Sequence, residues 1–291
     1  MNVGSPVVCG FMLALAIAVP AAAQRAPAPA SNVSAPSGYT LVWADEFNED
    51  GWPDPRNWTC ERGFVRNQEQ QWYQADNATV KNGQLIIEAR REAAPNPQFE
   101  AGSTDWQRNR QVAEYTSASV TSRGLHSFQY GRFEMRARID IRSGLWPAFW
   151  TLGDVGRWPA SGEIDVMEFY RGNLLANVAW ADSAGKAVWD DSRTPVAEWG
   201  GADWASRYHI WRMDWDENEV RLFVDDTLLN STDVRAAANG GGGARNPLRQ
   251  PHYLIVNLAI GGANGGDPSS TRFPARLEVD YVRVYRKIAD K

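Results

Sequence analysis

The feature that most constrains this chain is a repeated alternation of apolar and polar residues over short stretches separated by turn residues. Phe133–Ile139 alternates apolar residues with Glu134, Arg136 and Arg138, and Trp211–Asp216 alternates in the same way. A period of two places successive side chains on opposite faces of an extended strand. Each of these stretches therefore predicts a β-strand with one buried face.

The same pattern continues along the chain with only brief interruptions. Val220–Val224 follows Trp211–Asp216 after a short polar turn, which predicts a hairpin. Tyr253–Ile260 is almost entirely apolar, which predicts a strand covered on both faces, and Arg276–Arg286 alternates again. The other local predictions are two short helices and a flexible glycine loop: Asp203–Arg207, Thr232–Ala238 and Gly240–Gly243. The chain is therefore expected to be all-β, a single antiparallel β-sandwich.

Composition narrows the classes of function. A hydrophobic fraction of 43% is enough for a packed core. The formal net charge of -5 argues against a nucleic-acid partner, because phosphate binding needs clustered Lys and Arg. The chain has 14 Trp, more than core packing usually requires. Since a tryptophan face covers the C–H face of a pyranose ring, some of them are expected to line a sugar-binding groove.

The first residues favour a removable signal peptide, predicted over residues 1–23. Its apolar run, Phe11–Val19, is too short to span a bilayer and is followed by the small residues Ala21–Ala23. A flexible leader rich in Pro, Ala and Ser is predicted over residues 24–38. Cleavage leaves Cys60 as the only cysteine, so no intramolecular disulfide can form. The protein is expected to be secreted or periplasmic, with no membrane association after cleavage.

The most informative stretch is Glu163–Glu168, which holds three carboxylates within six residues. On a regular strand Glu163 and Asp165 share one face, while Glu168 points to the other. A β-bulge at or near Met167 adds one residue and brings all three acids to the same face. Bulges are frequent beside active sites because they redirect a side chain.

Crowded carboxylates suit the hydrolysis of a glycosidic bond. Their mutual repulsion separates their pKa values, and the reaction needs one carboxylate that attacks and another that donates a proton. The alternative is a solvated sheet face on which the acids have no function. Neighbouring aromatic residues favour the catalytic interpretation, since Trp158 comes shortly before the acids and Trp146–Trp150 is an aromatic strand before it.

The segment Trp158–Glu168 closely resembles the active-site strand of glycoside hydrolase family 16, the laminarinase and lichenase group. Other segments that are similar to the family follow its order along the chain: Trp43–Phe47, Asn67–Gln71, Tyr130–Glu134, Gly144–Trp150, Asn257–Gly262 and Val279–Tyr285. The resemblance covers a catalytic domain over residues 39–288. It implies a jelly-roll sandwich with a concave substrate-binding face, and a retaining hydrolase that needs no catalytic cofactor.

By this resemblance Glu163 is the nucleophile and Glu168 is the acid/base, while Asp165 hydrogen-bonds the nucleophile and helps to keep Glu168 protonated. The resemblance and the aromatic positions also suggest which side chains contact sugar: Trp158, Trp146, Asn67, Arg132 and Asn257.

Two of these residues have other interpretations, and a further tryptophan is expected elsewhere. Arg132 is equally well explained as an ordinary surface residue of its strand. Asn257 either faces the groove or satisfies backbone groups in a buried strand. Trp150 is expected in the core.

A structural calcium ion is implied on the convex side of the fold. Its ligands would be oxygens, from the side chain of Asp280 and from backbone carbonyls near Glu46 and Gly83. The alternative for Asp280 is that it only caps a strand edge.

The expected activity is endo-hydrolysis of β-glycosidic bonds in a polysaccharide, first of all β-1,3- or mixed-linkage β-glucan, by a monomer. Many β-1,3-glucanases of the family carry a His on the strand after the catalytic one, where this chain has Asn177–Trp180. Phe99–Glu114 also resembles an insertion. Both features keep a β-galactan such as agar, porphyran or a host glycan as an alternative. A non-catalytic glucan-binding protein is the alternative from another class, and the presence of all three acids argues against it.

Overall fold

The structure is a computed structural model that describes Met1, residues 34–240 and residues 245–288. The described residues from Ala35 onwards form one compact unit. Apart from Met1, the predicted signal peptide lies outside the described residues, as do the leader up to residue 33 and most of the predicted Gly240–Gly243 loop. Among the described residues, no helix is both long and apolar enough to cross a membrane.

Strands dominate the described part of the chain, and the few helices are short. In chain order the strands are β1 (Tyr39–Asp45), β2 (Thr59–Cys60), β3 (Gln71–Tyr73), β4 (Ala78–Val80), β5 (Leu85–Ala89), β6 (Ala94–Pro95), β7 (Val112–Ala113), β8 (Tyr115–Ser117), β9 (Ser119–Thr121), β10 (Gly131–Arg138), β11 (Leu145–Gly153), β12 (Glu163–Tyr170), β13 (Asn173–Ala181), β14 (Ala187–Pro195), β15 (His209–Trp215), β16 (Glu219–Val224), β17 (Thr227–Asp233), β18 (His252–Ile260) and β19 (Ala275–Lys287). The helices are α1 (Gly201–Ala205), α2 (Gly262–Gly265) and the 3-10 turns Ala75–Asn77, Val196–Trp199 and Pro247–Arg249.

Two antiparallel sheets form the body of the molecule. The first, called the back sheet here, has the strand order β17-β16-β15-β10-β19-β5-β4, with β1 also paired to β19. The second, the cleft sheet, has the order β14-β13-β12-β11-β18-β9-β2. Two short pairs, β3 with β8 and β6 with β7, lie outside them. This arrangement confirms the predicted all-β antiparallel sandwich.

The core lies between the two sheets. Phe133 and Trp211 from the back sheet and Ile164 and Val256 from the cleft sheet belong to one continuous apolar cluster, and all four are fully buried. Burial of each such side chain contributes roughly 1.5–3 kcal/mol. The two sheets therefore support each other, and the far face of the cleft sheet is free to carry polar residues.

The predicted strands agree with the structure in detail. Trp211 pairs with Val224 across β15 and β16, which confirms the hairpin. Every residue of β18 is buried, because one face packs in the core and the other in a second apolar cluster that includes Tyr253 and Ile255. The helix predicted over Thr232–Ala238 is wrong, since β17 continues to Asp233 and turns follow it. Pairing of Thr232 with β16 outweighs the local preference.

Candidate active site

The three acids lie on β12, in the middle of the cleft sheet. Asp165 pairs with Asn177 on β13, but the next pairing joins Glu168 to Leu175, so two residues of β12 stand opposite one of β13. The two bulged residues of β12, Val166 and Met167, are both fully buried in the core. This irregularity is the predicted bulge, and it turns Glu168 to the same face as Glu163 and Asp165.

A cleft of about 620 Å³ lies over this face of the sheet. Its walls include seven of the residues predicted for the site: Asn67, Trp146, Trp158, Glu163, Asp165, Glu168 and Asn257. The lining residues come from β11 and β18 on one side of the acids and from β13 and β14 on the other. The cleft therefore extends across the strands in both directions from the acids.

Glu168 is held by two side-chain donors. Trp146 Nε1 donates to Oε1 at 2.8 Å, and Asn177 Nδ2 donates to Oε2 at 3.2 Å. Burial raises the pKa of Glu168 to about 7, with a further increase from the negative charge of Glu163, while the Trp146 hydrogen bond opposes the rise. A carboxyl group with this pKa holds its proton near neutral pH and releases it readily, as a general acid/base must.

Glu163 and Asp165 share a hydrogen bond that lowers the pKa of Glu163 and raises the pKa of Asp165. Burial raises the pKa of Glu163, but hydrogen bonds from Asp165 and from Trp158 Nε1 favour its ionised form. Burial and the charges of Glu168 and Glu163 hold the pKa of Asp165 well above its usual range. Of the two groups, Glu163 is therefore the more readily ionised, as a nucleophile must be.

Asn257 and Asn67 lie on the β18 side of the cleft. Asn257 accepts from Trp150 Nε1 at 2.7 Å and donates to the Tyr73 hydroxyl at 3.1 Å. It therefore faces the cleft and bonds to side chains, rather than satisfying backbone groups. Asn67 has a positive φ of 55°, and its backbone carbonyl accepts from Ala263 N at 2.8 Å.

One of the predicted placements is wrong. Arg132 lies on β10 of the back sheet, where its Nε and Nη2 donate to Asp214 at 2.7 and 3.0 Å and its guanidinium lies over Tyr39. Since β10 belongs to the sheet on the other side of the core, Arg132 does not reach the cleft. Trp150 is buried, as predicted, in the second apolar cluster, and it also lines the cleft.

Several cleft residues are absent from the sequence-based prediction. Arg66 and Glu69 line the β18 side, and the Arg66 guanidinium lies 5.1 Å from the centroid of the Trp150 ring. On the other side Trp189, Asp191 and Arg193 project from β14. Their alternate spacing in the sequence indicates that the three side chains share one face of a strand. Sequence alone does not show that β14 is the edge strand next to β13, and so does not show that this face lines the cleft.

The segment predicted as an insertion, Phe99–Glu114, packs against the loop that carries Arg66 and Glu69. Gln107 Nε2 donates to the carbonyl of Phe64 at 2.6 Å, and Arg110 Nη2 donates to the carbonyl of Glu69 at 2.8 Å. The insertion thereby fixes one wall of the cleft.

The three positions implied for calcium lie at or beside neighbouring strands of the back sheet. Val279 on β19 pairs with Leu85, and Val282 pairs with Asp45, so Asp280 lies where β1 ends and β5 begins. Gly83 and Glu46 flank this junction in the sequence. Arginines hold both carboxylates: Arg136 bonds Asp280 Oδ2 at 2.6 Å, and Arg283 bonds Glu46.

These ion pairs leave Asp280 Oδ1 as the one carboxylate oxygen of the two side chains that no arginine bonds. Within residues 34–240 and 245–288, no group of three or more His, Cys, Asp or Glu side chains is arranged to hold a metal. Any calcium ion at the junction would therefore depend on backbone oxygens and compete with Arg136 for Asp280.

Comparison with known proteins agrees with this geometry. The family model for glycosyl hydrolases family 16 matches residues 66–283. A β-glucanase of Rhodothermus marinus is 38% identical over 269 residues, which cover 85% of each chain. The chain spans 34% to 56% of the length of four other curated relatives.

Solved structures show the same fold. The laminarinase structure from Rhodothermus marinus is 36% identical, with a TM-score of 0.69 over 86% of this chain and 98% of that one. A structure from work on endo-acting O-glycanases that human gut bacteria use to begin mucin breakdown is 32% identical. Its TM-score is 0.79 over 87% of this chain and 93% of that one.

The sandwich, the bulged acid strand and these similarities agree on one assignment. The fold is the jelly-roll sandwich of these relatives. The two glutamates that the family resemblance assigns to catalysis, Glu163 and Glu168, share the cleft face of the bulged strand. The chain is a glycoside hydrolase and belongs to glycosyl hydrolases family 16.

Proposed function

We propose that this enzyme is a retaining endo-hydrolase of β-1,3- or mixed-linkage β-glucan. The observation that carries the proposal is the common face of Glu163, Asp165 and Glu168 in a cleft that continues on both sides of them. A cleft of this form accepts internal segments of a polymer. The similarity to a β-glucanase over 85% of the chain supports glucan as the substrate.

The reaction follows from the protonation states. Glu163 attacks the anomeric carbon and forms a glycosyl ester, while Glu168 protonates the departing glycosidic oxygen. Glu168, now ionised, takes a proton from water as the water attacks the same carbon and releases Glu163. Asp165 keeps its proton and hydrogen-bonds Glu163. Two inversions at the anomeric carbon retain its configuration.

A β-galactoside of a host glycan is the second candidate substrate. Its support is the TM-score of 0.79 to a structure from work on mucin O-glycanases, against 0.69 for the laminarinase. The stretch Asn177–Trp180 on β13, which lacks the histidine that many β-1,3-glucanases carry there, gives the same indication. So does the insertion Phe99–Glu114, because it fixes the Arg66 side of the cleft.

An activity screen on laminarin, lichenan, agarose, porphyran and mucin O-glycans tests the proposal, with products resolved over time by mass spectrometry. Early release of mixed-length oligomers from laminarin or lichenan is the expected result. Cleavage of mucin glycans or a galactan alone would make the second candidate correct. Binding to glucan without cleavage of any polymer would contradict the proposed function, because it indicates a non-catalytic binding protein.

We also propose that the chain is exported by removal of residues 1–23 and acts as a monomer. The support for export is the apolar run followed by Ala21–Ala23. N-terminal sequencing of protein recovered outside the cytoplasm should begin at Gln24. A start at Met1 in that protein would contradict the signal peptide.

Calcium is proposed to stabilise the fold without taking part in catalysis. A ligand that binds only the folded state stabilises it by about 2.7 kcal/mol at a hundredfold excess over its dissociation constant. For a domain of this size, that energy raises the thermal midpoint by about 5–10 °C. Melting the wild type in calcium and in EDTA measures the shift, and Asp280→Ala should remove it.

The control for this variant is Asp233→Ala. Asp233 also pairs with an arginine, Arg235, but at the exposed end of β17, far from the β1–β5 junction in the sheet order. This variant should keep the full calcium shift. Identical wild-type midpoints in calcium and EDTA would rule out the metal, and an unchanged shift in Asp280→Ala would place it elsewhere.

A further inference from the structure

The edge strand β14 carries three side chains on the cleft face that the catalytic mechanism does not use. Trp189, Asp191 and Arg193 alternate along the strand, and all three line the cleft and are exposed. The residues between them are less exposed, and the carbonyl of one of them, Asp190, accepts a hydrogen bond from Asn230 on β17. The strand is therefore fixed from behind and presents its polar and aromatic face to the cleft.

The register of the sheet aligns these side chains with the acids. Ala179 on β13 pairs with both Glu163 and Trp189. In the same way Asn177 joins Asp165 to Asp191, and Leu175 joins Glu168 to Arg193. Each β14 residue therefore lies two strands from one acid in the same row, a backbone separation of about 10 Å. At that distance the β14 residues are placed to contact a sugar beyond the cleaved bond rather than the bond itself.

Trp189 forms an aromatic corner with Trp158. The two ring centroids are 6.4 Å apart with an interplanar angle of 49°, and the residues are 42% and 52% exposed. Since Trp158 Nε1 also donates to Glu163, the corner begins at the nucleophile and opens toward β14. Two large aromatic residues left this exposed on a cleft wall are poorly explained by packing alone.

We propose that β14 forms a leaving-group subsite, in which Trp189 stacks on the sugar beyond the cleaved bond and Asp191 and Arg193 bind its hydroxyl groups. By the family resemblance Asn67 hydrogen-bonds the sugars on the retained side of the cleaved bond, and it lies across β12 on the β18 side. The β14 side then contacts the leaving-group portion of the polysaccharide. One carboxylate and one guanidinium make the wall neutral in sum, so the subsite suits an uncharged hexose or N-acetylhexosamine. This inference rests on the proposed function.

A leaving-group subsite is also an acceptor subsite, because the second half of a retaining reaction reverses the first. A bound sugar hydroxyl replaces water: its oxygen attacks the anomeric carbon of the Glu163 ester, Glu168 takes its proton, and Glu163 leaves as a carboxylate. Loss of the subsite should therefore lower transfer to a sugar more than transfer to water. A purely structural defect would slow both to the same degree.

The test compares Trp189→Ala with the wild type on two substrates. One is the polymer that the wild type cleaves in the screen, and the other is the nitrophenyl β-glycoside of its disaccharide, which has no leaving-group sugar. Trp189→Ala should lower kcat/KM for the polymer about fivefold to tenfold, as expected for one lost ring contact. It should leave the nitrophenyl glycoside within about twofold. With the same disaccharide added as acceptor, the ratio of glycosyl transfer to hydrolysis can also be measured. In Trp189→Ala this ratio should fall by about the same factor as kcat/KM for the polymer.

Two further variants give the experiment its controls. Trp189→Phe keeps an aromatic face and should retain most of the polymer activity. Trp52→Ala removes a tryptophan that is 60% exposed outside the cleft, and should change neither substrate. Equal losses on both substrates in Trp189→Ala, or no loss on either, would overturn the subsite. If the wild type cleaves no polymer in the screen, the proposed function itself is wrong and the subsite falls with it.

Discussion

Replacing Glu163 with glutamine is expected to abolish hydrolysis while leaving the fold intact. The covalent step needs a carboxylate at this position, and an amide is too weak a nucleophile. We expect turnover of the polymer to fall on the order of 10⁴-fold or more, as it does when other hydrolases lose a covalent nucleophile. Initial rates of reducing-end release by purified Glu163→Gln and wild type measure the loss.

The same substitution should not lower the thermal midpoint. Glu163, Asp165 and Glu168 all have pKa values raised in the folded state, so they favour folding fully only at acidic pH. That contribution is lost as the pH rises through their folded pKa values, which for Glu168 is about 7. Glu163→Gln removes one buried charge, so the decline in midpoint between about pH 5 and pH 8 should be smaller than in the wild type.

Glu217→Gln is the matched control, because it makes the same chemical change at an exposed turn between β15 and β16. It should keep wild-type turnover. Near-normal turnover of a confirmed substrate by Glu163→Gln would remove Glu163 from the mechanism. A strongly lowered midpoint in that variant would show that the lost activity reflects unfolding instead.

The acid strand could be predicted from sequence because its information is local. Parity alone shows that Glu168 is on the wrong face of a regular strand, and one bulge corrects it. The structure confirms the bulge, and adds that Val166 and Met167 are both in the core. The buried strand β18 was predictable for the same reason, since its run of apolar residues leaves no polar face.

The sequence could not show which strands pair with each other in each sheet. Arg132 stands on an ordinary alternating strand, and only the strand order shows that β10 belongs to the back sheet, where Asp214 neutralises it. Trp189 and Arg193 have the same spacing as any exposed strand residues. They become cleft residues because β14 pairs with β13 in register with the acids. Such long-range pairings determine the substrate wall of the site.

Replacing Glu168 with alanine is expected to stop polymer hydrolysis, and external azide should restore turnover of a nitrophenyl β-glycoside. A nitrophenyl group departs without a proton, so the first step survives, but water then lacks the base that activates it. Azide needs no base and attacks the Glu163 ester directly.

The wild-type kcat/KM for the polymer should fall as the pH rises above about 7, because Glu168 loses its proton. The variant should lack this decline on the nitrophenyl substrate.

The anomer of the azide product separates the roles of the two glutamates. In Glu168→Ala the glycosyl group passes through Glu163 and then to azide, so two inversions give the β-azide. In Glu163→Ala azide can only attack the substrate itself in place of the missing carboxylate, so one inversion gives the α-azide, with Glu168 still present as the acid. NMR of the two products distinguishes them. A β-azide from Glu163→Ala and an α-azide from Glu168→Ala would show that Glu168 is the nucleophile and Glu163 the acid/base. If azide has no effect on Glu168→Ala, then Glu168 is not the base of the second step, and its pKa near 7 reflects burial beside Glu163 rather than proton transfer to the leaving sugar.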